Sequence, residues 1–410
     1  MKDMMAKYMN IKKRILKCLL FGVVLLSGVT ALEAQTTWAV KNTGDWSEFR
    51  NWTTDKSGQS YINPKSKIPE AGDNIIIPAG KTITYNAEEA LVLNKLTVEG
   101  KLVVTEANEL RVSAYDGLGT ISVTDMGSID PLKVASFDGT WELNGDNSIP
   151  GGVYNSVVVT KGTQRISGDV TVKRDLTIKD SAVVVFEPGA HKATVHNIVI
   201  EAGALLTSEG IEGEGQESEL HVTGDFVNRG TVEFCTGGRT DYNNQKSKRV
   251  VLYFEGNEDG EFSAEGTTTL YRLVCRKNVG VTQSVVAPGG INMLGRTVDM
   301  GSYKNLPWVP ESGVLKLGDG VNIGHWGEAY NINDQTINIT KSGQFYIPEI
   351  ATLWIAGANV SLGKEEVGNV GTLVGNALVA GTLKITAGSF NLEDYSWGII
   401  FISSQEGEPI

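Results

Sequence analysis

The sequence predicts an all-β chain wound as a right-handed parallel β-helix, with an aromatic cap at its start. Three observations predict it. Past the first residues no window shows convincing helical periodicity, whereas short runs of Val, Ile and Leu alternate with polar residues. Gly, Asn and Asp bound these runs, and 48 glycines stand against 11 prolines, the pattern of many strands and tight turns. Finally, strand signals start at Val157, Leu176, Ile198 and Leu220, giving steps of 19, 22 and 22 residues. A period in the low twenties with no helix between strands is that of stacked coils, each burying its inward residues on its neighbours.

The first residues specify export. Lys12, Lys13, Arg14 and Lys17 precede an apolar run from Cys18 to Leu26, followed by small residues and Ala31-Leu-Glu-Ala34. This is the order of a secretory signal peptide, expected to be cleaved after Ala34 with Ala31 as the alternative. The run is shorter than the ~20 residues of a membrane span. Cys18 precedes the apolar core, the wrong place for a lipid-bearing cysteine. Residues 1–34 hold six Lys/Arg and two acids, so their removal takes the net charge from −12 to −16. That balance argues against nucleic acid or anionic membrane as a partner. It suits a secreted or cell-surface protein.

The elements then follow in order. Residues 35–130 are read as the cap and first coils, 131–300 as central coils, and 301–410 as C-terminal coils that stop without a closing element. Trp38, Trp46, Phe49 and Trp52 lie ahead of the first regular coil. Large aromatics can plug the open end of a stack, where strand edges invite aggregation. A carbohydrate-stacking platform is the competing reading, which makes Trp38, Trp46 and Trp52 the candidate ligand surface. Leu96–Val98 and Leu102–Val104 flank Gly100, a residue that lets the chain corner without steric cost. Gly152–Val159 parallels Thr269–Cys275, each with a tyrosine (Tyr154, Tyr271) before an alternating strand. Both tyrosines are read as corner packing. Later strands are expected at Ile291–Met293, Val314–Leu317, Ile337–Ile339, Leu353–Ile355 and Leu383–Ile385. The open C-terminal end suggests contact with further sequence or with subunits.

One stretch resembles a known family. Gly44-Asp45-Trp46, Asn51-Trp52, Ile68-Pro69, Gly72-Asp73-Asn74, Ile75 to Ile77, Pro78-Ala-Gly80 and Leu96 to Leu102 are similar to the opening of the eight-glycine (G8) domain. They also resemble the first coils of secreted β-helical proteins of Bacteroidota. The resemblance implies a secreted or surface-attached β-helical protein, often linked to adhesion or glycan contact. It carries no catalytic residue onto this chain.

Motifs for chemistry are weak. Gly80-Lys81-Thr82 lacks the earlier glycine of a phosphate loop, because position 75 is Ile. His191, His196, His221 and His325 form no zinc pattern, and a 22-residue step sets His196 beside Ser218. The acidic run Glu209–Glu219 lacks calcium-loop spacing and reads as a solvated loop, with Arg239, Lys246, Lys248 and Arg249 as a basic counterpart. Asp175 and Asp180 flank one strand, a weak signal for paired carboxylates. Neither a metal nor a cofactor is expected. Cys235 is read as outward and Cys275 as inward, which opposes a disulfide. The favoured function is a scaffold or adhesin-like module contacting glycans or proteins; a polysaccharide lyase or hydrolase is the alternative.

Overall fold

The computed structural model describes residues 35–63, 65–87, 89–105, 109–125, 137–210, 217–235, 248–293, 308–321, 345–357, 361–362, 377–379, 381–387, 389–390 and 400–402. The leader, His325, Arg239, Lys246 and the expected strand at Ile337–Ile339 lie outside these residues. Among the described residues the chain is all-β, and its only helical segment is a single 3-10 turn at Phe49–Asn51.

Parallel pairing dominates. Each alternating run pairs with one that follows it by a loop and a corner, so one inward position repeats from strand to strand. Ile83 pairs with Leu102, Leu102 with Ile121, and Ile121 with Trp141. The row continues through Val157, Leu176, Ile198 and Phe226. It then passes through Phe262, Val285, Leu317, Ile355 and Ile385. All but the last of these side chains are buried. Their outward neighbours are mostly polar or half-exposed, as the two-residue period of a strand requires. Phe226 and Phe262 show the geometry directly, with ring centroids 4.8 Å apart, the spacing of neighbouring strands.

Five strands near the start form a separate sheet: Trp52–Thr53, Thr37–Val40, Asn74–Ile77, Leu91–Val98 and Leu110–Asp116. Most of the remaining strands join one hydrogen-bonded network whose order closes on itself. The sequence suggests an open stack; the closure arises because long strands turn a corner and pair in two rows. Ser156–Ile166, for example, pairs through Val157–Val159 in one row and through Gly162–Ile166 in another.

The register corrects one step of the expected period. Val157, Leu176 and Ile198 do align, but Ile198 pairs with Phe226 and not with Leu220. Leu220 pairs instead with Ala193. The long strand Lys192–Ile200 faces two shorter strands, Ser218–Val222 and Phe226–Asn228, separated by a corner at Thr223-Gly224-Asp225. Accordingly Ser218 does not lie beside His196 as the 22-residue step suggests: Lys192 pairs with Glu219, Thr194 with His221, and Ser218 with Val250. His196 Nδ1 meets Thr223 Oγ1 at 3.0 Å.

Corners are set by close backbone approach. Lys101, Thr120 and Thr140 donate their backbone N–H groups to Lys81, Gly100 and Gly119 respectively. A Cβ on Gly100 would lie 2.2 Å from the Lys81 carbonyl oxygen, and one on Gly119 would lie 2.2 Å from that of Gly100. No side chain fits there without prising two rungs apart. Gly119→Ala is therefore expected to lower stability by about 1–3 kcal/mol, the range of substitutions that force backbone strain. A chemical denaturation midpoint equal to wild type would show that this corner is looser than described.

Candidate ligand-contact face and polar clusters

The N-terminal aromatics are buried, Trp38 on an aspartate and Trp46 and Trp52 on each other. Trp38 is 5% exposed, Trp46 1% and Trp52 0%. Asp73 accepts hydrogen bonds from Thr36 N at 3.1 Å, Trp38 Nε1 at 2.9 Å and Glu70 N at 2.8 Å. Trp52 Nε1 donates to the Trp46 carbonyl at 2.7 Å. The Trp46 ring meets Trp52 edge-on with centroids 4.6 Å apart and Tyr85 at 5.2 Å. The ligand surface suggested at Trp38, Trp46 and Trp52 is thus not presented to solvent: these rings are committed to packing, because edge-to-face contacts and satisfied indole N–H groups favour burial.

Tyr154 and Tyr271 are buried as well. Tyr154 Oη donates to the Pro150 carbonyl at 2.9 Å, and Tyr271 Oη donates to Glu217 Oε1 at 2.8 Å. The two cysteines are free thiols. Cys275 points inward as expected, but Cys235 is buried too, which corrects its outward assignment. Strand Thr231–Glu233 ends two residues before Cys235, so alternation no longer decides where that side chain goes. Burial pushes the thiols up, to about 12 for Cys235 and about 11 for Cys275.

A polar cluster lies on the outward side of consecutive strands around His221. Ser218–Val222, Val250–Gly256 and Arg272–Lys277 stack in parallel register. His221 pairs with Tyr253 across the first two, and the rings stack with centroids 4.5 Å apart and 13° between planes. His221 Nε2 lies 2.9 Å from Glu219 Oε2, and Nδ1 lies 3.1 Å from Glu255 Oε1. The contact with His221 holds the Glu255 carboxyl below the usual carboxylate range, although burial opposes this. The Arg276 guanidinium sits 4.9 Å from the centre of the Tyr253 ring and bonds Glu311 through Nε at 2.6 Å. That carboxylate raises the guanidinium above its ordinary value.

The chemistry of this cluster is inward-looking. An imidazole occupies the gap between the two glutamates, so no sugar or water-sized reactant fits between them as paired-carboxylate hydrolysis requires. Tyr253 is flanked by His221 and Arg276 and offers no open ring for stacking. Sequence reading treats His221 as a lone distant histidine. The usable signal is the alignment of Leu220, Leu252 and Leu273 as inward residues, which places Glu219, His221, Tyr253, Glu255 and Arg276 on one outer face.

The other candidates separate. Asp175 accepts from Asn197 Nδ2 at 3.0 Å, while Asp180 accepts from Ser181 Oγ at a neighbouring corner. Of the acidic run, Glu209 pairs with Arg165, and 211–216 lie outside the described residues. Lys248 pairs with Glu233, and Arg249 is buried. Among the described residues no group of three or more His, Cys, Asp and Glu could hold a metal ion.

With this geometry in view, the comparisons define the class of one segment. The chain is an all-β protein of stacked parallel strands, and residues 62–130 match the G8 domain family. The match covers Asp73, the acceptor for Trp38, and the corners where Gly100 and Gly119 stack, in agreement with the resemblance expected from sequence. No curated protein and no solved structure matches the chain. No helix among the described residues is long and apolar enough to cross a membrane.

Asp73 gives the direct test of this segment. Asp73→Ala removes the acceptor for three donors, one of them a buried indole, and hydrogen bonds to charged groups contribute roughly 1.5–3 kcal/mol each way. The variant is expected to lose stability on the order of 2 kcal/mol and to shift tryptophan emission to the red. Unchanged emission and stability would mean that the indoles are held by packing alone.

Proposed function

We propose that the protein is a secreted or cell-surface scaffold, wound as a right-handed parallel β-helix, that contacts glycans or proteins through its outer faces without chemistry of its own. The observation that carries this reading is the inward row from Ile83 to Ile385, continuous across rungs, with the outer polar cluster at His221 turned onto its own neighbours Glu219 and Glu255. A solenoid buries its core only by stacking, and its product is a long regular face rather than a cleft. The leader composition and the typically extracellular setting of G8 domains support an exported location. On this reading residues 1–34 are the signal peptide, 35–130 the capped first coils, 131–300 the central coils and 301–410 the terminal coils.

Expression of the full chain with its leader tests the proposal. The expected product lies outside the cytoplasm, begins at Gln35 by N-terminal sequencing, and binds glycans on an array while releasing no reducing ends. Retention in the cytoplasm with residues 1–34 intact would contradict export. Turnover of a polysaccharide would replace the scaffold with the enzyme reading.

A further inference from the structure

Lys316, Trp354 and Lys384 hold the same outward position on three successive strands. Lys316 pairs with Trp354 and Trp354 with Lys384. Strands in a sheet are about 4.8 Å apart, so the two lysine backbones stand about 10 Å apart along the stack. Their ammonium groups lie 4.7 Å and 3.6 Å from the centre of the Trp354 ring. The indole is itself fixed, since Nε1 donates to Thr386 Oγ1 at 2.8 Å.

Two cations share this one ring, whereas Phe49, Tyr271 and Tyr253 each carry one, from Arg50, Arg272 and Arg276. The chain carries 48 acidic residues against 36 Lys and Arg, and several outward cations meet a carboxylate, as Lys101 meets Glu142 and Arg276 meets Glu311. Among the described residues no carboxylate pairs with Lys316 or Lys384. Both are instead gathered onto one aromatic ring, an attraction that orients a cation without neutralising it. Two like charges are thereby held in line at rung spacing with their charge unspent.

We infer that Lys316, Trp354 and Lys384 form a binding site for an anionic polysaccharide, carboxylated or sulfated, lying along the stacking direction. This rests on the glycan-contact reading and narrows it. A polymer with repeated acidic groups meets both lysines in one pose, so the second contact is intramolecular. A neutral glycan would need an open indole face, and the Lys384 ammonium covers one at 3.6 Å. The same column sets a boundary, because Ser284 precedes Lys316 in register and Glu261 precedes Ser284. A polyanion is repelled at Glu261, which sets one end of the contact two rungs before Lys316.

Affinity electrophoresis of the full chain in gels containing polygalacturonate, heparin or dextran tests the site. Wild type is expected to be retarded by at least one of the two polyanions and not by dextran, with retardation falling as salt rises, because each phosphate-like contact releases counterions. K316Q/K384Q should lose at least about tenfold in affinity for that polyanion, while K316R/K384R retains it. All three proteins should melt alike, since the side chains point outward. If the polyanion binds K316Q/K384Q as it binds wild type, the site is wrong and glycan contact stands. Retardation by dextran alone would also overturn the site. Binding to none of the three polymers, with an array equally silent, would remove both the site and the glycan-contact reading.

Discussion

Everything in this molecule depends on parallel strands repeating at one spacing, about 4.8 Å, with the same residue position facing inward each time. That constraint turns side chains into columns. Inside, it stacks Phe226 on Phe262 and aligns Leu176 with Ile198. Outside, it stacks His221 on Tyr253 and lines up Lys316, Trp354 and Lys384. A residue is therefore defined less by its neighbours in sequence than by those on the strands paired with its own.

The same constraint explains where polar groups are tolerated at depth. Lys277 is fully buried, yet its ammonium donates to the Thr223 carbonyl at 2.8 Å and to that of Glu258 at 3.0 Å. Desolvation pulls it below its ordinary value. The unfolded chain then binds more protons in the window beneath the ordinary lysine range, so the contribution of Lys277 to stability rises with pH there. Its carbonyl partners come from corners of other coils, which makes it a clamp between rungs. Asp73 plays the corresponding part at the start of the chain, gathering three donors around the aromatics.

Much of this was legible in the sequence, and what was not has a physical cause. Alternation located the strands, because inward and outward residues must differ in polarity, and it placed Gly100 at a corner. Register was legible only where coils are short and even, as from Val157 to Leu176 to Ile198. It failed at Leu220 because loops of variable length leave the core column without altering it: the step along the column is 16 residues from Trp141 to Val157 and 38 from Leu317 to Ile355. With the register went the neighbours of His221, whose partners Tyr253 and Glu255 lie on the strand paired with its own. The Trp38, Trp46 and Trp52 cluster was visible as a cluster, but composition could not tell a plug from a platform. That distinction lies in Asp73 and Tyr85, which reach the rings only after folding.

Disulfide trapping measures the winding itself. Val199 and Val227 face outward on paired strands, within the Cα separation a disulfide spans, whereas a uniform 22-residue period would set Val199 against His221. Cysteines introduced at 199 and 227 are expected to link on mild oxidation of the folded chain, and those at 199 and 221 are not. A bridge between 199 and 221, or none between 199 and 227, would contradict parallel strands in this register.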